Sequence, residues 1–488
     1  MDRRHDDVTG ADQLARMLGG WTGHPGSLPE RLARALRQLV ELGELVPGTR
    51  LPSERALATA LVVSRATVVS GYDLLHGEGL LDPKPGSGHW ITGIEATTGP
   101  TSSTVVSFPW PHRLAPPESA VRYAPHVVDL SAIAIPASPV LLDVLSALTV
   151  EDWISVTDEA GYVPLGWPPL RDVIAKECSA RGLPTTSQQV MITSGAQQGL
   201  SLVAAAFIRP GDVVVIEDPL YPGQLPVLRG AGAHLRSVPV TSHGLDVTAL
   251  SDTMESDKPR LALISPTHHN PTGSLLGGDG RGRIAALAGE GDAVIVELYA
   301  SSDLSLDNHP VPPPVAAIGN ADSMIVIGSL SPLVWSGLRV GWIRAPEHFL
   351  APLGRAKAVA DLGTSLLPQI VALRLMDRQP ELRRHRNSEL AARCDQAVSL
   401  LGRLLPDFEV TRPHGGACLW VGMPAGDAST FALVALRHGV ALLPGQLCSS
   451  TGGHAQRLRL SLACDPTRLL VGIERLAAAW TEYRRQAH

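Results

Sequence analysis

The chain has 488 residues, a net charge of −6 at pH 7, and 44% apolar against 18% charged residues. One hydrophobic core rarely grows beyond about 250–300 residues, so this length excludes a single-domain protein and predicts two or three domains. The acidic balance argues against a general polyanion binder, although it leaves a local basic face possible.

Five cysteines are spread along the chain without a CxxC pair or a histidine cluster at zinc-ligand spacing. This pattern predicts neither a disulfide framework nor a metal site. The first residues are polar and lack the apolar stretch of a signal peptide, and no run approaches the ~18 apolar residues of a membrane span. We therefore expect a cytoplasmic protein that does not enter a membrane.

The first domain is expected at residues 28–92, after a polar, glycine-rich segment at residues 1–27. Pro29 suits the first position of a helix, and leucines follow it at helical spacing. A second helix is predicted over residues 52–61, and Ser64 is a typical N-cap for a third.

A glycine-rich segment, PGSGHWI at residues 85–91, follows the third helix and predicts the wing of a winged helix-turn-helix. Residues 47–58, PGTRLPSERALA, and residues 63–68, VSRATV, resemble the DNA-binding domain of GntR-type regulators. The sequence departs from that family at Val62, where a turn glycine is usual.

A recognition helix presents its N-terminal residues to the major groove, which points to Arg65 and Thr67, and the preceding segment can bring further arginines to phosphates or base edges. The alternative is that these arginines belong to a solvated helix face and that the wing is a plain hairpin turn. The predicted DNA-contacting residues are Arg50, Arg55, Ser64, Arg65, Thr67, Gly86 and His89.

Residues 93–125 are rich in threonine, serine and proline, and they predict a linker because they can bury little apolar surface. Residues 126–488 alternate helical stretches with short apolar runs. Four of these runs, at 213–216, 261–264, 293–296 and 324–327, predict buried parallel strands and hence an α/β fold.

Residues 328–342 read GSLSPLVWSGLRVGW. They resemble the cofactor-attachment loop of fold-type I pyridoxal-phosphate enzymes, in which two serines precede a lysine and an arginine follows seven positions later. Pro332 stands where the lysine is expected, and Arg339 is present. Proline has no free amine and cannot form a Schiff base, so we expect no transaminase activity. The chain has four lysines, none of them in this loop: Lys84, Lys176, Lys258 and Lys357.

Further stretches resemble fold-type I aminotransferases in family order over some 350 residues. They are GYVPLGWPPLR at 161–171, TSGAQQ at 193–198, DPLY at 218–221, NPTG at 270–273, PHGG at 413–416 and LRLS at 458–461. A winged helix joined to such a domain is the layout of the MocR subgroup of GntR-type regulators.

This resemblance implies a site for pyridoxal phosphate, bound non-covalently at most, and an effector site. Arg459 would bind the carboxylate of an amino-acid-like effector, and Glu297 occupies the usual place of an aspartate that pairs with the pyridine nitrogen. Each residue also has a structural reading, such as a half-buried aromatic or a strand-end ion pair. The implied cofactor residues are Ser194, Gly195, Ala196, Tyr221, Asn270, Glu297, Tyr299, Ser329, Ser331 and Arg339.

The leading hypothesis is a homodimeric transcription regulator that binds an operator on double-stranded DNA and senses a small molecule. One alternative is an active pyridoxal-phosphate enzyme tethered to DNA, against which Pro332 argues. Another is a large domain that only pairs two DNA-binding heads. A pure dimerisation scaffold has no need for convergent polar groups, so Arg339, Asn270, Tyr299 and Arg459 favour a surviving pocket.

Overall fold

The structure is a computed structural model. It describes residues 10–18, 21, 27–41, 45, 48–84, 88–92, 127–157, 160–290, 293–307, 310–319 and 321–486. The linker predicted at 93–125 and the wing residue Gly86 lie outside the described residues.

Among its described residues, the N-terminal domain, here called the head, has four helices and a two-stranded antiparallel wing. Its elements are α1 Ala11–Leu18, α2 Leu28–Glu41, α3 Glu54–Leu61, α4 Arg65–Gly77, β1 Leu81–Lys84 and β2 Gly88–Ile91. The three predicted helices and the wing are therefore confirmed.

Serine side chains fix where the second and third helices of the motif begin. The Ser53 hydroxyl accepts from the Ala56 N–H, and the Ser64 hydroxyl accepts from the Thr67 N–H, so each satisfies a donor that has no partner within the helix. The head also starts earlier than predicted, because Leu14 of α1 and Trp21 are buried in its core.

The C-terminal domain contains the remaining helices, which cover its sheets. They are α5 Pro139–Ser146, α6 Val150–Thr157, α7 Pro168–Ala180, α8 Ala196–Phe207, α9 Gln224–Gly230, α10 Val247–Asp257, α11 Gly278–Glu290, α12 Glu347–Asp361, α13 Leu366–Met376, α14 Gln379–Leu404, α15 Ala428–Arg437 and α16 Pro466–Gln486.

An eight-stranded sheet forms the large subdomain, in the order β4-β11-β10-β9-β8-β5-β6-β7. Strands β10, β9, β8, β5 and β6 run parallel, whereas β11 and β7 are antiparallel to their neighbours. The four predicted strands are β5, β8, β9 and β10, so the mainly parallel α/β sheet is confirmed. The strand bounds are β4 Val190–Thr193, β5 Val213–Asp218, β6 His234–Thr241, β7 Gly244–Leu245, β8 Leu261–Ile264, β9 Val294–Leu298, β10 Met324–Ser329 and β11 Gly341–Arg344.

A four-stranded antiparallel sheet, in the order β12-β13-β16-β15, forms the small subdomain with α14, α15 and α16. A separate parallel pair joins β3 to β14 and attaches the beginning of the domain to this subdomain. The bounds are β3 Val128–Asp129, β12 Glu409–Val410, β13 Cys418–Gly422, β14 Val440–Ala441, β15 Leu443–Pro444 and β16 Arg457–Ser461.

Candidate functional site

The N-terminal end of α4 presents exposed arginine on the surface of the head. The Arg65 side chain is 69% exposed, and Arg55 on α3 is also exposed. Thr67 is buried, and its hydroxyl lies 2.8 Å from the Ser64 hydroxyl. Thr67 and Ser64 therefore shape the start of α4, while the Arg65 and Arg55 side chains are exposed on the surface.

Glu54 of α3 contacts both the wing and α4, the predicted recognition helix. One carboxylate oxygen accepts from the Arg65 guanidinium at 2.9 Å, and the other lies 3.2 Å from Nε2 of His89. The hydrogen bond from Arg65 lowers the pKa of Glu54, with a smaller contribution from His89. His89 also lies 3.0 Å from Nε2 of His76, so its ring is turned toward the head and not outward. Sequence reasoning missed this role of Glu54 because it depends on tertiary contact with residues 11 and 35 positions away.

Arg50 lies beside the wing. Its guanidinium carbon is 5.9 Å from the centre of the Trp90 ring, and a side chain at Gly88 would meet Arg50 Nε at 3.2 Å. The absence of a Cβ at Gly88, where φ is +95°, lets the wing backbone approach this arginine closely.

In the large subdomain, the start of α8 and Arg339 form a cup. Gly195 has a φ of +104°, and a Cβ there would lie only 2.9 Å from Arg339 Nη2, so only glycine allows the guanidinium to sit over this turn. Arg339 donates to the Ser194 carbonyl, and Ala196 begins the helix. Backbone N–H groups at a helix start, joined by a guanidinium, suit a phosphate.

Tyr221 lies next to this cup. It follows β5, and its ring occupies the space that a side chain at Gly223 would need. The Gly223 carbonyl accepts from the Gln197 side chain in the first turn of α8 at 2.7 Å. The structure therefore brings Tyr221 to the same helix end as Arg339.

The Ser329 side chain stabilises the loop that carries Pro332. The Ser329 hydroxyl accepts from the Ser331 N–H at 3.1 Å, and the Ser331 hydroxyl is buried with no hydrogen-bond partner among the described residues. Lys357 is connected to α8 through Asp361, which also accepts from the Gln198 side chain at 2.7 Å. Its amine is buried and donates to Asp361 at 2.5 Å, so it is already committed.

Arg459 on β16 is buried between the subdomains, at 2% exposure. Its Nη2 donates to the Ser131 carbonyl at 2.6 Å, and its Nη1 lies 3.4 Å from Asn270 Oδ1. Its Nε is buried with no partner among the described residues. Trp420 is its direct neighbour across the β13–β16 pair, so both side chains lie on one face. Sequence reasoning did not single out Trp420, because its relation to Arg459 depends on the strand register.

Glu297 and Tyr299 make their hydrogen bonds elsewhere. Glu297 is fully buried at the end of β9, and one of its oxygens accepts from the Val315 N–H at 2.8 Å. Its other oxygen has no partner among the described residues. Burial raises the pKa of this carboxyl to about 7. The Tyr299 hydroxyl donates to the Pro312 carbonyl at 2.9 Å, and the Arg181 guanidinium lies 5.6 Å from its ring centre.

The predicted pocket is thus divided among three groups in the structure. Arg339 and Tyr221 meet at the start of α8, and Arg459 meets Asn270 at the subdomain boundary, while Glu297 and Tyr299 bond to the segment that follows β9. Within the described part of the chain, no group of three or more acidic, histidine or cysteine side chains could hold a metal ion. No helix of the described residues is long and apolar enough to cross a membrane.

We predict that Glu297→Gln removes a pH-dependent loss of stability. The folded carboxyl has a pKa of about 7 against an ordinary value of 4.5, so the folded state binds the proton more tightly and the free energy of unfolding falls as the pH rises through this window. Between pH 4.5 and pH 8, the free energy of unfolding should fall by about 3 kcal/mol less in the variant than in the wild type. Urea unfolding at several pH values measures this, and parallel curves for both proteins would contradict the prediction.

Comparison with known families agrees with the two-part architecture. Residues 28–91 match the model for bacterial regulatory proteins of the gntR family, and residues 154–476 match the model for class I and II aminotransferases. The second match covers well over half of the chain.

Similar proteins include regulators and enzymes. The HTH-type transcriptional regulator YisV of Bacillus subtilis is 27% identical over 89% of this chain and 92% of its own length. The pyridoxine biosynthesis regulator PdxR of Corynebacterium glutamicum is 31% identical over 66% of this chain and 67% of its own length. The crystal structure of α-aminoadipate aminotransferase LysN from Thermus thermophilus, at 27% identity, superposes with a TM-score of 0.67 over 74% of this chain and 94% of that one.

An aminotransferase domain alone would account for the similarity to LysN. The match to YisV, however, covers almost the whole length of that regulator and so includes the DNA-binding head. The chain belongs to the MocR subgroup of GntR-type regulators, DNA-binding transcription regulators in which a winged helix is fused to a domain of the class I and II aminotransferase family.

Proposed function

We propose that this regulator binds its operator through the start of α4 and the wing, and that its aminotransferase-like domain is a ligand sensor without transaminase activity. The observation that supports this proposal is the Arg339 guanidinium over the α8 cup, together with the resemblance that assigns Pro332 to the attachment position. A pocket of this kind can bind a phosphate, but it lacks the amine that the reaction requires. We propose the cytoplasm as its location, since its partner is double-stranded DNA.

The exposed arginines of the head support the first part. Arg65 is mostly exposed and is held by Glu54 in a surface ion pair, which contributes only about 0–1 kcal/mol. A phosphate or a guanine edge can therefore replace Glu54 as the partner of Arg65 at little cost. Arg55, also exposed, lies one residue after Glu54 on α3.

We predict that Arg65→Ala weakens operator binding by about 1–3 kcal/mol, the usual worth of an arginine that reads a base. Fluorescence anisotropy with a duplex enriched by the wild-type protein from a random library measures the change. Arg34→Ala, on the exposed face of α2, is the matched control and should bind as the wild type does. Equal affinities of all three proteins would count against this DNA-contacting surface.

The residues of the cup support binding of pyridoxal phosphate without a covalent bond. Ser194, Gly195 and Ala196 would hold the phosphate with Arg339, and Tyr221 would lie against the ring. When bound, this cofactor supplies an aldehyde that reacts with amines, and the loop at Pro332 offers none. Glu297 would have to reach the pyridine nitrogen through its unpartnered oxygen.

Arg459 supports a second ligand group, a carboxylate. The Asn270 and Ser131 oxygens hold its guanidinium, and its Nε hydrogen is not used by the described residues. Burying such a donor costs free energy, which a bound carboxylate would recover. We therefore propose an amino-acid-like effector, or a vitamin B6 form together with one.

We predict that pyridoxal phosphate binds reversibly and is fully removed by dialysis after borohydride treatment, because no lysine in the loop can be trapped. Arg339→Ala should weaken this binding at least tenfold, since it removes a charge-assisted phosphate contact. Arg459→Ala should leave pyridoxal phosphate binding unchanged and abolish thermal stabilisation by amino acids. Arg457→Ala, on the same strand and paired with Glu409, is the matched control.

Two results would contradict this prediction. A borohydride-stable adduct located by peptide mass spectrometry would show covalent attachment at another amine. Steady production of a keto acid from an amino acid by the purified protein, lost in Arg339→Ala, would show transaminase activity.

A homodimer is proposed from an exposed apolar surface beside the site. Leu142 on α5 and Val150 on α6 are each 66% exposed, and Ile154 on α6 is 48% exposed. Helix α13 packs against both helices and adds Leu367, which is 53% exposed. Exposed apolar side chains on helices that pack together favour an interface with a second copy of the chain. Helix α5 starts where the Ser138 N–H donates to the Val334 carbonyl of the Pro332 loop, so a partner seated there would border the pocket.

We predict that Leu142→Glu and Ile154→Glu each raise the dimer dissociation constant at least tenfold, because a charge buried without a partner is costly. Sedimentation velocity over the micromolar range measures this. Leu404→Glu, at an exposed position on α14, is the control for adding a charge to an apolar surface residue. A wild-type monomer at these concentrations would overturn the proposal.

A further inference from the structure

The turn between α3 and α4 holds a valine in a conformation that suits glycine. Val62 has a φ of 53° and a ψ of 51°, in the left-handed region, which a β-branched residue rarely adopts. Such an outlier persists only where the surroundings require it. The Val62 side chain is therefore expected to make a contact that glycine could not make.

The Val62 side chain packs against the small subdomain and not against the head alone. It contacts the core that contains Phe431 and Val434 of α15. In the opposite direction, Leu433 of α15 packs against the core of the head. Each domain therefore contributes one apolar side chain to the core of the other.

Arg437, at the end of α15, adds a polar contact at the same place. Its guanidinium donates to the Val62 carbonyl at 2.8 Å and to the Leu61 carbonyl at 3.3 Å. These carbonyls end α3, where the helix dipole is negative and acceptors lack partners within the helix. Glu482 of α16 accepts from the same guanidinium at 2.6 Å and so fixes its orientation. His438 also lies against Glu482, at 2.7 Å.

This contact is mechanically connected to the candidate ligand site. Phe431 and Val434 of α15 share one core with Leu458 and Leu460, the two neighbours of Arg459 on β16. Close-packed cores transmit displacement because they have little free volume. A movement of β16 must therefore move α15 and, through Arg437, the turn that leads into the recognition helix.

Resting on the function proposed above, we propose that the α15–α16 corner is a docking surface for the helix-turn-helix turn, and that docking holds each head in a fixed orientation on the C-terminal domain. A docked head is oriented before DNA arrives. On a dimer, two heads held in this way fit paired half-sites of one spacing. Once the first head is bound, the second binds at a high effective concentration. A released head keeps its own DNA-contacting surface but loses this advantage.

Two variants test the docking from opposite sides. Arg437→Ala removes the polar contact from the small subdomain. Val62→Gly removes the apolar contact from the head, and it cannot fail through backbone strain because glycine adopts this conformation readily. Arg475→Ala is the matched control, since Arg475 donates to the Gly439 carbonyl inside the small subdomain.

The first measurement is hydrogen–deuterium exchange of the full chain without ligand, with each variant read on the domain that it leaves intact. Arg437→Ala should speed exchange at residues 58–63 at least tenfold, and Val62→Gly should do so at residues 433–438, whereas Arg475→Ala should leave residues 58–63 unchanged. Unchanged exchange at both segments would overturn the docking.

The second measurement is affinity for duplexes with one or two half-sites, taken from a random library enriched by the wild-type protein. Arg437→Ala and Val62→Gly should each lose about tenfold in affinity for the paired site and accept a wider range of spacings. Their affinity for the single half-site should stay unchanged. Faster exchange with undiminished paired-site affinity would overturn the orienting role. If the wild-type protein enriches no duplex, the proposed function fails, and the exchange result still decides the docking.

Discussion

Buried guanidinium groups that donate to backbone carbonyls hold the distant segments of this protein together. Arg459 donates to the Ser131 carbonyl across 328 residues of sequence, and Arg386 donates to the Pro136 carbonyl across 250. A guanidinium has several donors in a fixed plane and stays charged, so one side chain can satisfy several carbonyls that leave their own element. Removing such a group leaves buried acceptors without a donor, and this costs more free energy than the hydrogen bond contributes.

The candidate pocket depends on the same constraint. The segment around Ser131 crosses between the subdomains, and Arg459 holds it there while also facing Asn270 of the large subdomain. A ligand carboxylate on Arg459 would therefore contact a residue that already touches both subdomains. Its binding energy would depend on how the two subdomains are placed, which is what a sensor requires.

Local patterns predicted much of this structure, and tertiary contacts decided the rest. Ser64 as N-cap of the recognition helix and the four apolar strands follow from short-range rules of capping and burial, and the structure confirms them. The inclusion of α1 in the head was not predicted, because eight helical residues give a weak periodic signal and the burial of Leu14 depends on α3.

For some residues, sequence patterns predicted the position in the fold correctly but could not identify the hydrogen-bond partners. The sequence places Glu297 and Tyr299 at the end of a strand, but their hydrogen bonds go to the segment at residues 312–315, which no local pattern connects to them. Val62 shows the converse case. Its departure from glycine was visible in the sequence, whereas its reason lies in α15, some 370 residues away.

If Pro332 stands at the position of the reactive lysine, as proposed, the binding energy of the pocket has a different use. In an enzyme, interactions that strengthen only in the transition state accelerate the reaction. Where no reaction occurs, a ligand acts only through the difference between its affinities for two conformations, and a tenfold shift in a population requires about 1.4 kcal/mol. The contact of Arg437 with two carbonyls and one carboxylate is at least this large, since each hydrogen bond to a charged group is worth about 1.5–3 kcal/mol. The proposed docking is therefore strong enough to favour one orientation of the head on the C-terminal domain.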